Sequence, residues 1–279
     1  MNRENLPEIA LLYDFDKTLC TADIQEYTFI PTLEMEPKQF WSRTSTLSKE
    51  SGMDPILCYM YMMLRLSREH DKPIRRENFC AHGKNVEFFP GVTEWFERIR
   101  KFGKENGVGV CHYIISSGLG EIIEGTPIAK EFREIFACRF HYDANGVADW
   151  PLSCVNYTGK TQYLFRINKG VLDLSDDKSV NEYMSHDERP VPFRRMIYIG
   201  DGFTDVPCMS LVRRNGGNSI AVFNEDDKTA KKLLTTDRVN YIARCDYSEG
   251  GDLDNIVKNL ISLIALDDKM RGLTDVQKK

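Results

Sequence analysis

Two kinds of apolar spacing alternate along the chain. Residues 9–13, 110–115, 196–199 and 219–223 form short, nearly unbroken apolar runs, and 137–142 is a weaker example. Such runs predict strands buried on both faces, as in a parallel sheet. Between them apolar residues return every three or four positions. Val92, Trp95, Phe96, Ile99 and Phe102 share one helical face, as do Leu253, Ile256, Val257, Leu260, Ile261 and Ile264. Amphipathic helices alternating with buried strands predict an α/β fold whose parallel sheet is covered on both sides.

Residues 21–89 interrupt the rhythm. They offer no strand pair and are rich in Met, Leu and aromatic residues at helical spacing. The segment reads as an inserted helical domain, with residues 1–20 and 90–279 as the α/β core and Pro90-Gly91 as the return point. Met60, Met62 and Met63 read as gap-filling core rather than as a binding surface. The polar stretch 173–190 reads as a surface excursion, and the Lys278-Lys279 end as a frayed tail. No internal repeat is visible.

A chain of 279 residues can bury a sizeable core, and 42% hydrophobic with 28% charged residues excludes disordered and fibrous classes. The net charge of -5 argues against a nucleic-acid or anionic-membrane partner. The longest apolar run, residues 56–64, is far shorter than the roughly 20 residues a bilayer needs. The opening Met-Asn-Arg-Glu-Asn lacks the pattern of a secretory signal. Eight dispersed cysteines without a C-x-x-C pair suggest reduced thiols in a cytoplasmic protein rather than zinc or disulfides. The histidines are scattered and read as structural or surface groups, and Cys208 reads as packing.

The candidate chemistry gathers where strands end. Asp14-Phe15-Asp16-Lys17-Thr18 follows the first apolar run, and ligand sites of open α/β sheets lie at the carboxyl ends of strands. A D-x-D-x-T string arises by chance in about one chain of this size in ten, so alone it could be an acidic turn. Gly200-Asp201-Gly202-Phe203-Thr204-Asp205, after another apolar run, has a chance frequency nearer about one in a hundred. Four carboxylates at one sheet edge repel one another and call for a cation. Oxygen ligands of this kind suit Mg2+ shared with a substrate phosphate. Ser116, Ser117 and Gly118 end a further apolar run, where hydroxyls and backbone N–H groups can hold phosphate oxygens, although read alone they are a cap or turn. Lys160 opens a helical segment carrying Leu164 and Ile167, and read alone is a solvated lysine.

In chain order these segments resemble the four motifs of the haloacid dehalogenase superfamily, specifically its phosphatase branch. The resemblance covers the chain outside the insertion. It implies a Rossmann-like parallel sheet with a helical cap inserted between the first and second motifs. It also implies that Asp14 is a nucleophile forming an aspartyl-phosphate, that Asp16 is the general acid and base, and that Lys160 neutralises developing charge. Thr18, Ser116, Ser117 and Gly118 would position the phosphate. Mg2+ would be held by Asp14, the Asp16 carbonyl and Asp201, with Asp205 orienting a metal-bound water or Lys160. The substrate implied is a small soluble phosphorylated metabolite. Dehalogenases of the superfamily lack the second aspartate, and its membrane ATPases carry Thr there, so Asp16 separates this chain from both. A phosphotransferase or phosphomutase would use the same residues. A non-catalytic phospho-ligand-binding module would not need both Asp14 and Asp16. Phosphoserine phosphatases are similar in cap position and in Ser116-Ser117-Gly118, and in them an acidic residue nine positions after the nucleophile holds the substrate amine. That spacing falls on Asp23, although Asp23 reads first as a cap of the first helix of the insertion. Oligomeric state is left open.

Overall fold

The computed structural model describes residues 6–27 and 29–277. The N-terminal residues 1–5 and the Lys278-Lys279 end, whose sequence is interpreted above, lie outside the described residues. Seven strands form one sheet: β1 (Glu8–Tyr13), β2 (Gly109–Leu119), β3 (Phe132–Tyr142), β4 (Ala148–Ser153), β5 (Met196–Gly200), β6 (Asn218–Phe223) and β7 (Tyr241–Arg244). Their order is β4-β3-β2-β1-β5-β6-β7. Every pairing is parallel except the β3–β4 hairpin. The expected α/β class and Rossmann-like sheet are therefore present. β1 and β5 lie side by side at the centre and are buried almost throughout, as their unbroken apolar runs require.

The order reverses at β1: the chain steps outward from it to β2 and β3, then returns to β5 on its other side. Such a switch point opens a crevice beyond the carboxyl ends of the two central strands. Asp14 follows β1 and Asp201 follows β5, so the topology brings two distant acidic loops together. The helix Val92–Glu105 lays Trp95, Phe96 and Ile99 on the sheet, and Leu253, Val257, Leu260 and Ile261 of the helix Asp252–Gln277 are buried likewise.

Residues 21–89 are helical where they form regular structure. The longest pieces are Pro37–Ser51 and Pro55–Glu69, followed by Arg76–His82. Pro55 stands in the first turn of its helix, and the Asp54 carboxylate caps it by accepting from the N–H groups of Ile56 and Leu57. Met60, Met62 and Met63 are buried in that helix, as expected of core filler. Residues 173–190 form a largely exposed excursion. Arg166 pins its start by donating to the carbonyls of Asp173, Leu174 and Asp176.

Two features depart from the sequence expectation. β2 does not stop at Ile115 but continues to Leu119, with a shift of register against β3 between those two residues. Ser116-Ser117-Gly118 is thus an irregular strand end and not a cap or turn. The edge strands β4 and β7 add to the sheet where no buried apolar run predicts a strand. No described helix is long and apolar enough to cross a membrane.

Candidate active site

The segment after β1 folds back at once. Leu19 N–H donates to the Phe15 carbonyl at 2.9 Å, and Thr18 and Cys20 donate to the same oxygen at 3.3 Å. Lys17, at φ 55°, takes the left-handed conformation that lets the turn close. Asp14 stays tied to the sheet, its N–H donating to the Ile199 carbonyl of β5 at 3.0 Å. Asp14 and Asp16 both line a cleft of about 580 Å3 above the switch point, together with Lys160, Asp201 and Ser117.

Lys160 is the first residue of the helix Lys160–Lys169 and is fully buried. Its Nζ donates to Asp205 Oδ1 at 2.7 Å and forms an ion pair with Asp14 Oδ1 at 3.0 Å. Burial alone would lower the ammonium's pKa, but the Asp14 and Asp205 carboxylates more than reverse this and hold it charged. Asp205 Oδ1 also accepts from the Tyr198 hydroxyl at 2.8 Å. Gly200 is required beside it, because a Cβ there would lie 2.6 Å from Asp205 Oδ2.

The remaining carboxylates are less compensated. Burial, then the Asp205 charge, pushes Asp14 up to about 6. Burial, then Asp205 and Asp14, pushes Asp201 up to about 8. Asp16 is raised well above the carboxylate range by burial and by the nearby Asp23 and Asp14 charges, although Oδ1 accepts the Ile24 N–H at 2.9 Å. Gly118 packs close to it: a Cβ at that position would meet Asp16 Oδ2 at 2.8 Å.

Asp14, Asp201 and Asp205 can bring one carboxylate oxygen each within 4.8 Å of one another. An all-oxygen set of this kind fits a hard divalent cation such as Mg2+. Asp205 is already committed to Lys160 and Tyr198, which favours Asp14 and Asp201 as the carboxylate ligands.

Other expected residues take different positions. Thr18 is fully buried, its carbonyl accepting from the Tyr247 hydroxyl at 2.9 Å, while its own Oγ1 has no hydrogen-bond partner. Ser116 is fully buried and its Oγ accepts from the Gly118 N–H at 2.9 Å. The Ser117 hydroxyl donates to the Val155 carbonyl, and its own carbonyl accepts from the Tyr59 hydroxyl, each at 2.7 Å. Asp23 lines the cleft, but its carboxylate pairs with Lys17 Nζ at 2.5 Å. After Asp23 the chain makes a single 3-10 turn, Ile24–Tyr27, in which the Asp23 backbone carbonyl, not its carboxylate, accepts the Glu26 N–H. His112 is buried and bonded to the Tyr13 hydroxyl, and burial holds it neutral at about 3, in keeping with a structural role.

Sequence reading missed Tyr198, Gln25, Thr44, Trp41 and Tyr59. Thr44 left a trace, as a polar residue one helical turn after Phe40 and one before Leu47 on an otherwise apolar face. The others leave no local signal, because their neighbours come from distant parts of the chain.

The sequence profile of the haloacid dehalogenase-like hydrolases matches residues 11–210. An uncharacterized protein of Borreliella burgdorferi is 30% identical over 94% of this chain and 98% of its own length. A HAD family hydrolase from Salmonella enterica serovar Typhi superposes with a TM-score of 0.59 at 15% identity, covering 91% of this chain and 71% of that one. A substrate-bound phosphoserine phosphatase superposes with a TM-score of 0.57 at 14% identity, covering 90% of this chain and 98% of its own. At these identities the structural matches speak to the fold.

Proposed function

The chain belongs to the haloacid dehalogenase-like hydrolase family, and from that premise we propose that it is a Mg2+-dependent phosphomonoesterase working through an aspartyl-phosphate on Asp14. One observation carries the reading: Asp14 stands at the switch point, 3.0 Å from the buried Lys160 ammonium and in reach of the Asp201 carboxylate. A nucleophile, a fixed positive charge and an anionic cation-binding group therefore converge on one cleft.

In the first step an Asp14 carboxylate oxygen attacks phosphorus. The bond from phosphorus to the leaving oxygen breaks, its electron pair staying on that oxygen, which takes the proton held by Asp16. The raised affinity of Asp16 for a proton suits it to this role. In the second step a water attacks phosphorus and gives its proton back to Asp16. The Asp14–phosphorus bond breaks and inorganic phosphate leaves. Lys160 offsets charge on Asp14 and the transferring group, and Asp205 with Tyr198 fixes the ammonium in place. Thr18, Ser116, Ser117 and Gly118 are read as the phosphate end of the cleft, whose wall includes Ser117, and the Thr18 hydroxyl is buried without a hydrogen-bond partner. Mg2+, held by Asp14 and Asp201 with the Asp16 carbonyl, would neutralise phosphoryl oxygens.

Residues 21–89 are read as a cap on the core of residues 1–20 and 90–279, since Gln25, Trp41, Thr44 and Tyr59 line the same cleft as Asp14 and Asp201. Free thiols at all eight cysteines suit a reducing compartment such as the cytoplasm. The test is turnover of para-nitrophenyl phosphate with and without Mg2+, and trapping by beryllium fluoride. Metal-dependent turnover that beryllium fluoride blocks is expected. Full activity in EDTA, or no turnover with Mg2+ present, overturns the reading.

A further inference from the structure

The cap side of the cleft holds two polar groups that the chemistry above does not use. Gln25 is 2% exposed and Thr44 is 5% exposed. Gln25 Oε1 and Thr44 Oγ1 have no hydrogen-bond partner, yet both residues line the cleft that contains Asp14 and Asp201. Buried polar atoms are nearly always paired, so an unpaired one at a cleft wall is open to a ligand group that completes it. They come from separate elements, the turn Ile24–Tyr27 and the helix Pro37–Ser51, and line the same cleft.

We infer that Gln25 and Thr44 select the leaving group, and that the substrate is the phosphate ester of an uncharged, hydroxyl-bearing alcohol such as a sugar or polyol. This rests on the phosphatase reading above. Gln25 Oε1 can only accept and the Thr44 hydroxyl can donate or accept, so together they suit a group that donates to one and exchanges a hydrogen bond with the other, as alcohol hydroxyls do, whereas a carboxylate has no proton to give Oε1. The charges at this end of the cleft point the same way. Lys17 and Asp23 neutralise each other, and Lys49 is exposed. A zwitterionic amino-acid phosphate would find Asp23 already paired. Trp41 and Tyr59, packed edge to face with ring centroids 6.0 Å apart, give the same wall an apolar surface for a carbon skeleton.

The experiment compares kcat/KM for erythritol phosphate and butyl phosphate, which share a four-carbon chain with and without hydroxyls, and for phosphoserine. The wild type should prefer erythritol phosphate over butyl phosphate by about tenfold or more, because a site built for a hydroxyl rejects the analogue lacking it. Phosphoserine should fall below erythritol phosphate. Thr44→Val and Gln25→Leu should each move the erythritol-to-butyl ratio toward one. Both variants should melt no lower than the wild type, because each removes an unpaired buried polar group. A purely structural role would lower both rates together and keep the ratio. An unchanged ratio, a wild-type ratio near one, or a preference for phosphoserine overturns the inference. Absence of para-nitrophenyl phosphate turnover refutes the phosphatase reading instead. Calorimetric binding of erythritol and butyl phosphates to the Asp14→Asn protein then decides this inference without turnover: equal affinities overturn it, and a preference for erythritol phosphate that Thr44→Val abolishes supports it.

Discussion

Replacing Lys160 with methionine keeps most of the side-chain volume and removes one charge from a fully buried position. At an effective dielectric near 20, contacts of 2.7 and 3.0 Å to Asp205 and Asp14 correspond to a gross attraction of about 5 to 6 kcal/mol each. Much of that offsets the desolvation of the ammonium. The substitution exposes the other side of the balance, two buried carboxylates left without their cation, and breaking such a pair costs about 3 to 5 kcal/mol. In a chain of this size that is a fall in Tm of about 5 to 9 °C. The loss should depend on pH. Asp14 already binds its proton more tightly than an unfolded aspartate, and losing Lys160 raises its affinity further. A carboxyl whose folded pKa is raised withdraws stability as pH climbs from the unfolded value through the folded one. The penalty should therefore be smaller at pH 5 than at pH 8. Urea denaturation of wild type and variant at both pH values, free of Mg2+, measures it. Asp205→Asn added to Lys160→Met should recover part of the loss. A penalty under about 1 kcal/mol at pH 8, or one that does not change with pH, would show that the ammonium is not what holds these carboxylates.

Asp14→Asn should abolish turnover of para-nitrophenyl phosphate and leave the melting curve cooperative, and residual activity above about a hundredth would move the nucleophile elsewhere. Mg2+ at about a hundredfold over its Kd should stabilise the protein by about 2.7 kcal/mol, and Asp201→Asn should flatten that response; equal shifts in both proteins would exclude Asp201 as a ligand. Because Asp14 and Asp201 hold protons near pH 6 and 8, apparent Mg2+ affinity should rise across that window, and titration calorimetry showing no pH dependence would contradict it. Gly118→Ala should lower kcat by tenfold or more with little change in fold, since its Cβ would sit 2.8 Å from Asp16 Oδ2; a wild-type rate would mean Asp16 has room to shift.

Legibility in the sequence tracks burial. β1, β5 and β6 are covered on both faces, so nearly every residue is apolar and the run itself announces the strand. β4 is an edge strand with Trp150 and Leu152 exposed and Pro151 inside it, a pattern that a rule based on buried runs does not find. The same rule ends β2 at Ile115, because Ser116, Ser117 and Gly118 break the apolar run where the strand reaches the cleft at Ser117. Asp14, Asp16, Asp201 and Asp205 are legible because they recur at fixed spacing after strands. Tyr198, Gln25 and Thr44 are not, since each takes its meaning from a partner or a wall contributed by another part of the chain. Asp23 shows the limit most plainly: it pairs with Lys17, a residue in the left-handed conformation, and no local pattern signals either.

The charge arrangement explains why so acidic a cleft can receive an anion. Asp205 has its own partners in Lys160 and Tyr198, and burial with the nearby Asp23 and Asp14 charges favours the protonated form of Asp16. Asp14 shares the single ammonium of Lys160, and no ion pair to Asp201 is found among the described residues. With Asp14, Asp201 and Asp205 all ionised, three carboxylates against one ammonium leave about two negative charges, the deficit that one divalent cation cancels. With that cation bound, the chemical end of the cleft is close to neutral before a phosphate dianion enters. The Lys17–Asp23 pair adds no net charge beside it. On the proposed function, discrimination among phosphate esters then has little electrostatic force to draw on, and falls to uncharged groups lining the cleft. Gln25 and Thr44 are the buried, unpartnered groups positioned to exert it.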